Sequence, residues 1–76
     1  MEWRRHDEYC LLSDDGRHAI AATHDPVMVV YLASRIPVGK SRFVDAKLIG
    51  VRRVRQDDHD ARRAAITELK QVCETI

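Results

Sequence analysis

Residues 57–76 read DDHDARRAAITELKQVCETI, and this stretch decides the predicted fold because its apolar residues recur with the period of an α-helix. At 100° per residue these side chains fall within about 140° of the helix circumference. They predict one broad core-facing stripe, which Arg62 shares. The apolar members of the stripe are Ala61, Ala65, Ile66, Leu69, Val72, Cys73 and Ile76.

Charged residues favour the same helix at its ends. The carboxylate of Asp57 can accept a hydrogen bond from an amide of the first turn, which has no partner inside the helix. Asp58 and Asp60 lie where the positive end of the helix dipole favours carboxylates, and Lys70 lies nearer the negative end. We therefore expect a helix that is capped by Asp57 and packs by one face.

Four segments ahead of the helix are typical of strands. Asp14-Asp15-Gly16 separates the first two and predicts a three-residue hairpin loop, with the glycine in the left-handed conformation. The region from Ser34 to Asp45 contains Pro37, Gly39 and several bases, so we expect an extended loop. The four predicted strands are Glu8–Ser13, Arg17–Thr23, Val27–Ala33 and Lys47–Arg55.

This order of elements predicts the fold class. Short hairpin links favour an antiparallel sheet, and one helix lying across a sheet gives a two-layer arrangement. We expect an α+β fold in which a small antiparallel sheet of three to four strands packs against one C-terminal helix. A chain of 76 residues is enough for one core, so residues 1–76 are interpreted as a single compact α+β domain.

The third predicted strand is apolar on both of its faces. Val29, Tyr31 and Ala33 alternate with Val30 and Leu32, whereas a single helix can cover only one face of a sheet. Something else is expected to cover part of the other face. The internal candidates are Trp3 with the amino-terminal segment, or Phe43 from the long loop; the external candidates are a second copy of the chain or a different protein.

Basic residues are concentrated in one part of the chain, although the formal net charge is only +1. Residues 35–55 hold seven bases against one acid. This segment could bind phosphates, nucleic acid or an acidic protein surface, or it could be a solvated strand edge that discourages aggregation. The small net charge weakens the nucleic-acid interpretation. The candidate partner-binding residues are Arg35, Lys40, Arg42, Lys47, Arg52, Arg53 and Arg55.

No catalytic or metal-binding pattern is recognisable. The histidines and cysteines have none of the spacings of a metal site, so we expect neither a metal nor a cofactor. Val38-Gly39-Lys40-Ser41 resembles the end of a phosphate-binding loop, but Ser34 occupies the position that requires glycine. We expect a protein that is not an enzyme, in which Cys10 and Cys73 are reduced core residues.

Hydropathy also predicts where the protein acts. The longest apolar run, from Pro26 to Ala33, is too short to cross a bilayer, and the first five residues lack the apolar core of a signal peptide. We therefore expect a cytoplasmic protein with no membrane partner.

The spacing of several residues is similar to a pattern in small uncharacterised proteins of phages and prophages. The resemblance spans most of the chain, mainly at structural positions, so it carries no functional residue over. It implies a compact α+β protein that acts by stoichiometric binding, as anti-CRISPR proteins and other inhibitors of host machinery do. The residues that carry it are Trp3, Tyr9, Ser13, Gly16, Ile20, Tyr31, Ala33, the run from Ala61 to Ile66, and Cys73.

Two hypotheses about function follow. The leading one is a non-enzymatic binding protein that docks its sheet face or basic loop onto another protein or a second copy of itself. The alternative is a small nucleic-acid-binding module that uses the basic segment 35–55. One stripe of bases with an aromatic residue among them would favour nucleic acid, whereas an apolar patch with a charged rim would favour protein.

Overall fold

The computed structural model describes residues 2–37 and 46–75. Within these ranges one antiparallel sheet packs against one helix, which confirms the predicted α+β class. The sheet has five strands, more than the three to four expected. The elements are β1 (Trp3–Asp7), β2 (Cys10–Ser13), β3 (His18–His24), β4 (Met28–Arg35), β5 (Lys47–Arg55) and α1 (His59–Thr75).

The sheet is a meander, because each strand pairs antiparallel with its neighbour in the chain. The turn between β2 and β3 has Gly16 in the left-handed region, at a φ of 72°, as predicted. The amide of Gly16 donates a hydrogen bond to the carbonyl of Ser13 over 3.0 Å. In the turn between β3 and β4, the Asp25 carboxylate accepts hydrogen bonds from the amides of Val27 and Met28.

The strand predicted at Val27–Ala33 is β4 in the structure, and it extends further at its C-terminal end than expected. β4 continues through Ser34 to Arg35, and the next residue, Ile36, is buried and donates its amide hydrogen bond to the carbonyl of Arg17. The first part of the expected loop is therefore part of the sheet. The rest of that expectation, residues 38–45 with Phe43, lies outside the described residues.

The helix α1 is capped one residue later than predicted. The Asp58 carboxylate accepts a hydrogen bond from the amide of Ala61 over 3.0 Å, which is the usual geometry of an N-cap. The residue predicted to be the cap, Asp57, instead forms an ion pair with Arg55 at 3.2 Å. The helix register is as predicted, because the stripe residues Leu69 and Cys73 are fully buried.

The core lies between α1 and one side of the sheet. α1 packs over β5, β4 and β3 and does not reach β1 or β2. It approaches β5 closely at Gly50, where an added Cβ would lie only 2.8 Å from Cδ2 of Leu69. The absence of a side chain at Gly50 therefore lets Leu69 pack against the strand. The buried core residues are Ile20, Val29, Tyr31, Ala33, Ala65, Leu69 and Cys73.

The strand that sequence analysis missed is β1. Its residues, WRRHD, include a single large apolar side chain, so they lack the apolar alternation of a half-buried strand. Backbone pairing places Trp3 opposite Ser13 and Arg5 opposite Leu11. Trp3 packs against the core on the helix side, so of the candidates for covering the second face of the sheet Trp3 is excluded.

We call the side of the sheet opposite α1 the open face. Strand alternation assigns to it Val30 and Leu32 of β4, because Val29, Tyr31 and Ala33 point to the core. No helix or strand within residues 2–37 and 46–75 packs on the open face. α1 thus covers one of the two apolar faces of β4.

Candidate functional site

An apolar row crosses the open face from β2 to β5. Pairing between adjacent strands places Cys10 opposite Ala21, Ala21 opposite Leu32, and Leu32 opposite Val51. Directly opposed residues on one face have their Cβ atoms about 5 Å apart, so the four side chains form a continuous surface. Val51 keeps 43% of its surface exposed, whereas the core residue Val29 keeps none.

Three residues of the row, Cys10, Ala21 and Leu32, lie in the floor of a shallow concavity. Its volume is about 320 Å³, and it is bounded on one side by the turn that joins β1 to β2. Side chains of mixed character border the floor, with an acid and an aromatic ring at this rim. The lining residues are Asp7, Tyr9, Cys10, Ala19, Ala21, Ala22, Leu32 and Ser34.

The structure does not bring together the five predicted basic residues that it describes. Arg35 pairs with Lys47 where β4 ends and β5 begins, far along the strands from Arg53 and Arg55. Arg52 points to the helix side, where its guanidinium lies 3.8 Å from the carboxylate of Glu68. Lys40 and Arg42 lie outside the described residues.

Two of the five bases that the structure describes border the open face. Arg53 lies opposite Val30 and Arg55 lies opposite Met28, so both flank the apolar row on the β5 side. Arg55 pairs with Asp57, and this pairing raises the pKa of Arg55 and lowers the pKa of Asp57. The amides of Met28 and Val27 lower the pKa of Asp25, and the positive charge of Arg53 adds to that shift. The β5 rim of the open face is therefore charged at neutral pH.

A second concavity lies on the helix side of the sheet, and we call it the helix-side cleft. It forms because α1 stops short of β1 and β2, so the hairpin of these strands and the helix stand apart over a floor of β3. Its volume is about 360 Å³. The floor and wall are apolar and include Leu11, Ile20 and Ile66, and two guanidinium groups, of Arg5 and Arg62, line the cleft.

Arg62 explains why a charged residue shares the apolar stripe of α1. Its Nε donates a hydrogen bond to Oη of Tyr31 over 3.0 Å, and its Nη1 donates to the carbonyl of Gln56 over 3.3 Å. Tyr31 is 4% exposed, so its hydroxyl needs a partner inside the protein. Sequence analysis noted Arg62 on the stripe but did not assign it to a site. The signal that could have identified it was a charged residue on the core-facing side of the helix.

The two cysteines are on opposite sides of the sheet. Cys73 is buried on the core-facing side of α1, whereas Cys10 belongs to the apolar row of the open face. No disulfide joins them in the structure, and of the two only Cys73 is the core residue that the sequence predicted. Burial raises the pKa of the Cys73 thiol, which keeps it in the less reactive protonated form.

Comparison with protein-family models, curated proteins and solved structures gave no match. Within residues 2–37 and 46–75, no group of three or more histidines, cysteines and acids is arranged to hold a metal ion. No helix in the same ranges is long and apolar enough to cross a membrane.

Proposed function

We propose that this chain is a small non-enzymatic binding protein that docks its open face onto another protein. The observation that carries the proposal is the row Cys10, Ala21, Leu32 and Val51, which is apolar, continuous over four strands and covered by no described element. Exposed apolar rows with charged rims are typical of protein interaction surfaces.

The size of the surface indicates what else the partner must touch. Four strands spaced about 4.8 Å apart, over some five residues each, present a flat area of about 300 Å². A stable interface buries roughly 800 Å² on each partner. The apolar row can thus supply the centre of an interface, and the charged rim must supply much of the remainder.

Charge complementarity favours one kind of partner. Arg53 and Arg55 stand along the β5 side of the row, so an apolar surface with an acidic rim would fit against it. Arg55 already pairs with Asp57, which leaves Arg53 as the base with the greater expected influence on encounter. The resemblance to phage proteins makes an inhibitor of host machinery, such as an anti-CRISPR protein, the class of binding protein that we propose.

The distribution of bases supports protein over nucleic acid. A nucleic-acid groove needs several cations along one path, since phosphates repeat along the backbone. The five described bases of the basic segment are divided between both faces and both ends of β5. The open face has an apolar patch with a charged rim, which is the pattern expected for a protein partner.

A partner from a lysate of the encoding organism, purified and recombined with the chain, provides the test. We expect a defined complex that Leu32→Asp weakens at least about tenfold, because the change places a charge at the centre of the apolar row. Thr67→Asp, on the exposed surface of α1, is the matched control and should bind as wild type does. Circular dichroism of each variant checks that the fold is kept.

The two neighbouring arginines of β5 make the test more specific. Arg53→Gln should slow association several-fold, because Arg53 lies on the open face, whereas Arg52→Gln on the helix side should not. Equal binding by Leu32→Asp and wild type would contradict the proposal. So would a chain that light scattering shows to be dimeric through this face, or micromolar binding to random DNA or RNA whose affinity falls steeply with salt.

A further inference from the structure

The helix-side cleft has the form of a small-molecule site. Its volume of about 360 Å³ lies within the range of roughly 300–1,000 Å³ that is usual for ligand pockets. The apolar surface comes from three elements, with Leu11 from β2, Ile20 and Ala22 from β3, and Ile66 from α1. Such a cleft can hold an apolar body between the sheet and the helix.

Arg62 brings into the cleft a positive charge that forms no ion pair with a described residue. Its guanidinium is half-buried and donates only to neutral oxygens, those of Tyr31 and Gln56. No carboxylate among the described residues lies within ion-pair distance of it. A guanidinium has five N–H donors, and removing its charge from water is costly unless an anion is near. The cleft is therefore suited to receive an anion at Arg62.

Arg5 supplies a second positive charge from the opposite wall. It lies on β1 opposite Leu11, lines the cleft, and has no ion-pair partner in the described part of the chain. Asp7 and Glu8 lie at the same wall. Two guanidiniums attract an anion, and the two acids repel additional negative charge, so the balance favours a single negative charge over a dianion.

We propose that the helix-side cleft binds a small monocarboxylate with an apolar body, whose carboxylate meets Arg62 and Arg5. The apolar body lies on Ile20 and Ala22, against Ile66. Guanidinium groups match the geometry of a carboxylate, and three of the five N–H groups of Arg62 remain after its bonds to Tyr31 and Gln56. Arg62 and Ile66 line this cleft and not the open-face concavity, although the two concavities share Asp7, Tyr9, Cys10 and Ala22 near the β1–β2 turn.

Octanoate is the probe, and octan-1-ol and octyl phosphate are its neutral and dianionic counterparts. Titration followed by two-dimensional amide NMR, below the micelle concentration of each probe, should show saturable 1:1 binding of octanoate with shifts confined to the cleft residues. Octan-1-ol and octyl phosphate should each bind at least about tenfold more weakly, because one lacks the charge and the other carries too much.

Arg62→Gln should weaken octanoate binding by about tenfold and leave octan-1-ol binding unchanged, since only the carboxylate contact is lost. Arg63→Gln is the matched control, because Arg63 is the adjacent residue, is exposed and does not line the cleft. Ala22→Phe fills the floor and should abolish binding of both probes. Amide spectra and thermal unfolding verify that each variant is folded.

Three results would overturn the inference: no cleft shifts with octanoate at millimolar concentration, equal affinity for octanoate and octan-1-ol, or unchanged octanoate affinity in folded Arg62→Gln. The proposed protein docking would survive each of them. Conversely, Leu32→Asp should leave octanoate binding intact, because Leu32 lies on the open face.

Discussion

The two faces of β4 have nearly the same composition but differ in burial. Val29, Tyr31 and Ala33 lie under α1 and are at most 4% exposed, whereas Val30 and Leu32 lie on the open face and remain half-buried. Apolar alternation predicts both faces to be buried and does not indicate which one the helix will cover. The element that packs on a face, and not the strand's own composition, determines whether it becomes core.

Small residues favour the face that α1 selects. Gly50 and Ala33 are opposite each other on the helix side, and they leave room for Leu69 to approach the strands. The corresponding pair on the open face is Leu32 and Val51, which protrude further. A helix backbone can approach a sheet more closely over small residues, so dispersion contacts are better there.

The largest difference between the faces should appear on truncation of a leucine. Leu69→Ala should lower the free energy of unfolding by about 2–5 kcal/mol, because Leu69 is fully buried and its removal leaves a cavity. Leu32→Ala on the open face should cost less than half as much, since solvent already reaches this side chain. Urea unfolding of both variants measures the two losses; equal losses would mean that the open face is covered.

A smaller effect should follow from adding a methyl group beneath the helix. Gly50→Ala should destabilise the protein by about 1–3 kcal/mol, because the new Cβ would lie 2.8 Å from Cδ2 of Leu69. In the Leu69→Ala background the same change should cost much less, since the conflicting atom is gone. Additive losses in the double variant, measured in urea, would show that the close approach does not matter.

The turn at the end of the open face should be sensitive to acid. The pKa of Asp25 is lowered by the amides of Met28 and Val27, so the charged carboxylate stabilises the folded turn. A lowered folded pKa means that this contribution is complete above the ordinary value near 3.8 and is lost as pH falls through the folded value. Asp25→Asn should therefore reduce the loss of unfolding free energy that accompanies a fall in pH below about 3.8. Thermal unfolding between neutral pH and strong acid provides the measurement.

The alkylation rates of the two cysteines distinguish the two faces of the sheet in the unmutated protein. In native protein prepared without reductant, iodoacetamide should modify Cys10 on the open face much faster than Cys73, which is 1% exposed and has a raised pKa. Unfolded protein should take up two labels, as two thiols require. Mass spectrometry distinguishes the species. Equal native rates would contradict the assigned faces, and a bound protein partner should protect Cys10 selectively.

The sequence predicted those features that depend on local pattern. The stripe of residues 57–76 identified Leu69 and Cys73 as buried, and Gly16 indicated the hairpin turn. It did not reveal β1, because Trp3-Arg4-Arg5-His6-Asp7 is held by backbone pairing to β2 and shows no alternation of its own. The side of the sheet on which Trp3 packs depends on that pairing, and could not be read from the residue alone.

The candidate site was harder to predict for a related reason. Closeness in the chain grouped Arg52 with Arg53 and Arg55, whereas the pleat of β5 sends Arg52 to Glu68 on the helix side. The apolar row was foreseen only as an uncovered face of the third predicted strand. Its continuation through Ala21 and Cys10 depends on strand register, which no single segment shows. The helix-side cleft depends on where α1 stops, which is a property of packing.

The meander order also determines how the chain can assemble in time. Each strand finds its partner in the segment just made, across links of three or four residues between β2 and β4, so little loop entropy is lost at each step. Sheets built from neighbouring hairpins fold faster than those that need distant pairings. Yet Leu69, which is fully buried in the core, is synthesised after all five strands. During translation the hairpins can form early, but they gain lasting stability only when α1 has left the ribosome.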